Sequence, residues 1–429
     1  MNKKNMRLHL LLTALLTSAL LGLSAQVPQE FSVVKSPAEV GFSPERLTRL
    51  DTFLQGFTNR GAAPSIVAFI ARKGKVVFQK AYGWSSIEKK IPARTDDIYR
   101  IMSQSKLITT VGLLMLMEEG RFYLDQPISD FLPSFKNPKV LVSYDEKNPA
   151  RYITRPAKSA ITFRHLLSHT AGIPYEMALS SLPEFNFPTL CTLEPIKLET
   201  LVDKLAARPL IADPGQSFVY GHNTDIMGRL IEVLSGQSLD QYLRSKVCEP
   251  LGMTDSYFYL PQDKANRLVG LYSQETKGAP MQLHANPVFQ NYPVAGAKQL
   301  YMGGSGMSGD IDDYARLCQM ILNKGVFNGK RFLSPATIQA MASNQIGDNL
   351  VWDRNDKFGL GLQIFSNNSH YGDTATPGSL MWGGYFYSEY TIDPAKDLIL
   401  LLYTNVQPYA EGTDLLRKFR IMTYAAMND

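Results

Sequence analysis

Ser103 and Lys106 stand three residues apart in RIMSQSKLITT, directly ahead of the apolar run VGLLMLMEEG. On a helix, positions three apart share a face, so the amine can reach the hydroxyl. A serine at a helix start also has backbone N–H groups close by, which favour developing negative charge. Together these features describe a nucleophile with its own base partner. A capping serine beside a lysine that stretches its ammonium toward water would leave the same letters. The Ser-x-x-Lys spacing occurs three times, at Ser32–Lys35, Ser86–Lys89 and Ser103–Lys106. Chance gives about one or two such matches in a chain of this size. The first follows the N-terminal apolar segment and the second falls in a polar turn. The third opens an apolar helix.

Two further stretches carry candidate chemistry. Tyr220, in FVYGHNTDIMGRLIEVLSG, comes just before a predicted helix. A phenol is normally protonated, but a cation such as Lys106 beside it would stabilise the phenolate and make Tyr220 a general base. The plainer reading is a half-buried tyrosine. In LMWGGYFYSEY, Gly383 and Gly384 suggest close backbone approach to a ligand or another segment, or a bulge. A free N–H at that edge could form half of an oxyanion hole.

Other chemistries find little support. There is no GxSxG elbow. His165 and His169 are four apart, but Leu-Leu-Ser between them lacks the glutamate of a zinc protease. With six histidines and no CxxC, no metal or other cofactor is expected. GGSGMSGD (303–310) is glycine-rich but lacks the Gly-Lys-Ser/Thr ending of a phosphate loop.

The elements that must position these residues are readable in outline. Ser43-Pro44-Glu45 starts a helix with an N-cap, a first-turn proline and an acid. SIVAFIAR (65–72) and VVFQKAYGW (76–84) read as a hairpin around Lys-Gly-Lys. Residues 136–160 read as a polar surface excursion, and ITFRHLLSHTAGI (161–173) as a short helix ended by Gly172. Residues 223–247 and 309–323 read as amphipathic helices. YSEYTIDPAKDLILLLYTN (387–405) is a second hairpin, and a helix over about 411–426 closes the chain. With strand pairs at both ends and helices between, the economical packing is α+β: one antiparallel sheet flanked by helices, beside an all-helical lobe. The expected division is a sheet lobe over about 31–102 and 300–429 and a helical lobe over about 103–299. A cleft between them is the natural place for a site.

Residues 1–25 combine the basic start MNKKNMR, the apolar stretch LHLLLTALLTSALLGL and small residues near Ala25. They read as a secretory signal peptide ahead of a domain over 26–429, which implies a periplasmic or secreted protein. An uncleaved anchor is the alternative, though the apolar part is short for a spanning helix. Without Lys3, Lys4 and Arg7 the formal charge falls from +5 to +2. That balance, with no basic block, argues against nucleic acid and against anionic membrane as partners. No later run suits stable membrane insertion. Cys191, Cys248 and Cys318 are too few and too scattered for a disulfide framework.

Taken in order, these blocks resemble the serine β-lactamase-like hydrolases, in their class C-like esterase branch, which shares its fold with penicillin-binding proteins. DDIYRIMSQSKLITTVGLLMLMEEGRFYLDQPISDFLP is similar to that family's nucleophile segment. ITFRHLLSHTAGI, PGQSFVYGHNTDIMGRLIEVLSGQSLDQYL, EPLGMTDS, GGSGMSGDIDDYARLCQMILNKG and LMWGGYFYSEYTIDP resemble its later blocks. The resemblance implies that Ser103 forms a covalent acyl-enzyme, with Lys106 and Tyr220 sharing the general-base role. It implies an oxyanion hole from the N–H groups of Ser103 and Tyr385, with Trp382, Gly383 and Gly384 lining the site. Two departures matter. The family's Tyr-x-Asn is here Tyr220-Gly221-His222 with Asn223 one place late, so either His222 or Asn223 would face the substrate. Its Lys-Thr-Gly is here Trp382-Gly383-Gly384, which removes a cation that would attract a substrate carboxylate and offers an apolar wall instead.

The resulting expectation is an exported carboxylesterase acting on a small-molecule ester or amide. An acyltransferase on the same scaffold is the alternative, followed by a β-lactamase or D-Ala-D-Ala peptidase. From another class, an acyl-trapping sensor or binding module would acylate Ser103 without turnover. Sequence leaves open whether Lys106 or Tyr220 is the base, and the oligomeric state.

Overall fold

The computed structural model describes residues 30–429; the expected signal peptide, residues 1–25, lies outside them. Among the described residues the central sheet has nine strands. Its middle is made where the two ends of the chain meet. Ser65–Arg72 pairs antiparallel with Leu398–Tyr403, placing Val67 opposite Tyr403 and Arg72 opposite Leu398. On one side lies Lys75–Ser86; on the other come Ser388–Asp393, Leu380–Gly384, Gln363–Ile364 and Lys357–Phe358. Ser32–Val33 joins one edge in parallel with Lys75–Val76, and Ile91–Pro92 pairs with the same long strand. The first hairpin turns through Lys73 and Gly74, both at positive φ (54° and 70°). That suits a two-residue turn whose twist matches the strands.

Both faces of this middle are covered, which explains why SIVAFIAR and LILLLY are apolar throughout. Alternate residues Ile66, Ala68, Ile70, Leu398, Leu400 and Leu402 pack under the helices Pro44–Asn59 and Gly412–Ala425. The opposite set, including Val67, Phe69, Ile399 and Leu401, joins the main core with the helices Ile311–Leu322 and Ser105–Glu118. Ser43 caps the Pro44–Asn59 helix by accepting the Arg46 N–H at 3.3 Å.

The Ser105–Glu118 helix is buried on nearly every side. The helices Asn223–Ser235 and Leu239–Leu243 pack on it. Gly112 permits this approach, since a Cβ there would come 2.5 Å from Leu243 Cδ2.

Three local readings change. The 161–173 helix spans Phe163–Leu167. It stops because Ser168 Oγ turns back to the Arg164 carbonyl (2.8 Å) and His169 takes a left-handed φ of 54°. The 223–247 helix breaks at Gly236, φ 72°, and restarts from the Ser238 cap. Residues 136–160 form a hairpin, Lys139–Asp145 with Asn148–Pro156, and no residue of it lines the cavity that contains Ser103.

Candidate active site

Ser103 lies in a 3₁₀ turn, Met102–Gln104, that feeds the Ser105–Glu118 helix. Met102 ahead of it has φ +47°, an unfavourable backbone state for a residue with a side chain. The surroundings hold it there. Met102 packs with Leu271, Tyr292 and Phe386. The Gln104 carbonyl accepts from Tyr314 OH at 2.9 Å, and Gln104 Oε1 accepts from Tyr403 OH at 2.8 Å. Ser105 Oγ accepts the Met307 N–H at 3.1 Å. The turn is pinned through its buried neighbours, and Ser103, 9% exposed, borders the cavity.

Lys106, 2% exposed, points its Nζ at three oxygens. These are Ser103 Oγ at 3.1 Å, Tyr175 OH at 2.8 Å and the Gly304 carbonyl at 2.7 Å. Hydrogen bonds to Gly304 and Tyr175 fix the direction of Nζ and hold it against the serine hydroxyl. Gly304 is itself fixed. Its N–H donates to Asp225 Oδ1 at 2.9 Å, and a Cβ on it would come 3.1 Å from that oxygen. The neighbouring Gly303 carbonyl accepts from Thr109 Oγ1 at 2.9 Å. The GGSGMSGD stretch, which is no phosphate loop, thus forms one wall of the serine–lysine pair.

Two tyrosines complete the cluster. Tyr175 is half-buried, and its hydroxyl also touches Ser103 and Tyr220; burial, then the Tyr220 and Asp225 charges, hold its ionisation well above the ordinary range. It is therefore a phenol, able to donate a proton. The Tyr220 ring covers Lys106 with its centroid 4.7 Å from Nζ, and its oxygen accepts from Trp382 Nε1 at 3.1 Å. Trp352 stacks on Trp382 at 5.6 Å, extending the aromatic wall. Beneath, burial and the Lys106 charge push His169 well below its ordinary value, so it is a neutral framework residue.

His222 and Asn223 do not face the substrate, contrary to expectation. Both are fully buried. His222 stands at the start of the Asn223–Ser235 helix with Nδ1 2.8 Å from Asp225 Oδ2. Asn223 Nδ2 lies 2.9 Å from His169 Nδ1. The extra residue after Tyr220 turns both side chains into the helical lobe.

Gly383 and Gly384 end the Leu380–Gly384 strand beside the nucleophile turn. A Cβ on Gly384 would collide with the Ile101 carbonyl oxygen and Ser388 Oγ, so the close approach read from the paired glycines is real there. Tyr385 comes next, 44% exposed, at the cavity mouth. The cavity measures about 600 Å³ and brings Ser103, Tyr220, Trp382, Gly383, Gly384 and Tyr385 together. Tyr175, Trp352 and Arg354 also line it. Sequence reasoning passed over these three, and Asp225 behind them. For Tyr175 the usable signal was its place just beyond the HTAGI block; Arg354 carried none.

The family model for Beta-lactamase matches residues 50–421. Esterase EstB of Burkholderia gladioli is 28% identical over 400 residues, covering 88% of this chain and 95% of the esterase. Monacolin J acid methylbutanoyltransferase of Aspergillus terreus (strain NIH 2624 / FGSC A1156) is 28% identical over 359 residues, covering 78% and 83%. Among solved structures, EstCE1, a hydrolase with promiscuous acyltransferase activity, superposes with a TM-score of 0.72 at 26% identity, covering 88% of this chain and 98% of its own. On the extent of that family match, the chain belongs to the beta-lactamase family.

Proposed function

We propose that the protein is a serine carboxylesterase working through an acyl-enzyme on Ser103. The observation that carries this is the 3.1 Å contact of Lys106 Nζ with Ser103 Oγ at the edge of an aromatic-walled cavity. Lys106 takes the serine proton as Oγ bonds to the ester carbonyl carbon. The oxyanion forms against the N–H groups of Ser103 and Tyr385. Collapse breaks the bond to the leaving alcohol, and the proton reaches its oxygen through Lys106 and the linked hydroxyls of Tyr175 and Tyr220. Water then attacks the acyl-serine with the same groups as base, releasing the acid and restoring Ser103. The residues that do this need no cofactor.

Acyl transfer, with an alcohol replacing water in the second step, is favoured by the transferase names among the relatives. Trp382, standing where the lactamase pattern has lysine, weighs against β-lactams. The basic, then apolar, N-terminal segment supports export to the periplasm or medium, checked by the N-terminus of protein recovered outside the cytoplasm.

The test is hydrolysis of p-nitrophenyl esters of increasing acyl length, with and without added primary alcohol. Short- to medium-chain esters should turn over, and Ser103→Ala should lose about 1,000-fold or more in kcat. Undiminished activity in Ser103→Ala rejects the mechanism. An ester product formed from the added alcohol, at the expense of free acid, would favour the transferase.

A further inference from the structure

We propose that Arg354 makes an anion subsite in the Ser103 cavity and that the natural substrate carries a carboxylate. This rests on the esterase reading and deepens it. Arg354 lines the same cavity as Ser103. Its guanidinium carbon lies 4.1 Å from the Tyr371 ring centroid and 4.9 Å from that of Trp352. Nη1 donates to Gln363 Oε1 at 2.9 Å, and Gln363 Nε2 in turn donates to Asp356 Oδ2 at 2.6 Å. Two aromatic rings and one amide therefore set the plane of the fork without neutralising it.

The acids nearby are engaged elsewhere. Asp356 also accepts from the Ser366 N–H and Ser369 Oγ. Glu389, another cavity residue, is paired with Arg420 and accepts from Tyr371 OH at 2.9 Å. Asp373 is paired with Arg417 and Arg420. Among the described residues Arg354 makes no ion pair. Asp356 lies within reach of the Arg354 charge but one amide away, so the half-buried guanidinium has no direct ion pair; a bound carboxylate would supply one through two parallel N–H···O bonds. A single cation with Glu389 and Glu176 on the same cavity suits a monoanion better than a phosphate dianion. Trp382 replaces the family's lysine on one wall; Arg354 brings a cation back on another.

The experiment compares matched substrates within each protein. Mono-p-nitrophenyl adipate is set against its methyl ester, placing the charge on the acyl side. 4-Acetoxybenzoate is set against its methyl ester, placing it on the alcohol side. In the native protein, kcat/KM should favour the charged member of at least one pair by about tenfold or more. The ratio should fall to near one in Arg354→Gln and stay intermediate in Arg354→Lys. Because each ratio is taken within one protein, a general loss of activity cancels. No preference in either pair, or a preference that survives Arg354→Gln, overturns the proposal. If the capped esters still turn over through Ser103, the esterase reading stands without it. Should no ester turn over, titration with monomethyl adipate followed by tryptophan fluorescence decides, since Trp352 packs on Arg354. Binding should then weaken about tenfold in Arg354→Gln, and equal binding would overturn the subsite.

Discussion

The Lys106 ammonium nitrogen sits 2.7 Å from the Gly304 carbonyl oxygen, closer than it sits to the serine it serves. A residue nearly 200 positions downstream thus sets where the amine points. Asp225 holds that same glycine from the far side through its N–H. The serine–lysine pair is therefore local in sequence but aimed by distant elements.

Replacing Asp225 by Asn should expose this dependence. The amide removes the charge that receives the Gly304 N–H and breaks the pairing with His222. The expected result is a fall in kcat of about tenfold with little change in KM, since no cavity-lining group is altered. Steady-state kinetics beside a melting curve checks it. A Tm loss with unchanged kcat would leave Asp225 a framework residue.

Tyr175 gives a second expectation. Its hydroxyl receives Lys106 Nζ at 2.8 Å and joins Ser103 to Tyr220. Tyr175→Phe keeps the ring and deletes that junction, and should lower kcat by about 10- to 100-fold. Tyr220→Phe should act in the same range, and the double variant should lose less than the product of the two, as groups in one proton path are not independent. Multiplicative losses would separate the two tyrosines.

Stability should respond to pH through Asp97. Burial raises its carboxyl from 3.8 to about 6. The folded chain holds this proton more tightly than the unfolded one. That contribution is complete below the unfolded value and is lost as pH rises through about 6. Asp97→Asn keeps an oxygen for the Arg94 N–H, bonded at 2.7 Å. It should flatten the decline in Tm between about pH 4 and about pH 7. An unchanged slope in differential scanning calorimetry would contradict the assignment.

Much of the architecture was legible because it obeys simple periods. Apolar runs bounded by Lys-Gly and Asp-Pro turns announced the two hairpins, and the Ser-Pro-Glu start announced the Pro44–Asn59 helix. The serine–lysine pair was legible because it is three residues apart. Gly304 and Arg354 were not, because each reaches the site through tertiary packing that leaves no local pattern. His222 and Asn223 were misplaced for a related reason. One extra residue after Tyr220 rotates both side chains around the helix start, and only the packing of the helical lobe decides which way.

The pairing of Ser65–Arg72 with Leu398–Tyr403 also bears on how the molecule comes into being. These partner strands lie more than 300 positions apart, so closing them carries a loop-entropy cost and cannot occur until Leu398–Tyr403 has been synthesised. Until then one hydrogen-bonding edge of SIVAFIAR has no partner strand. A nascent chain in that condition is what holding chaperones engage, and truncation within the last thirty or so residues should produce aggregation rather than a smaller working enzyme.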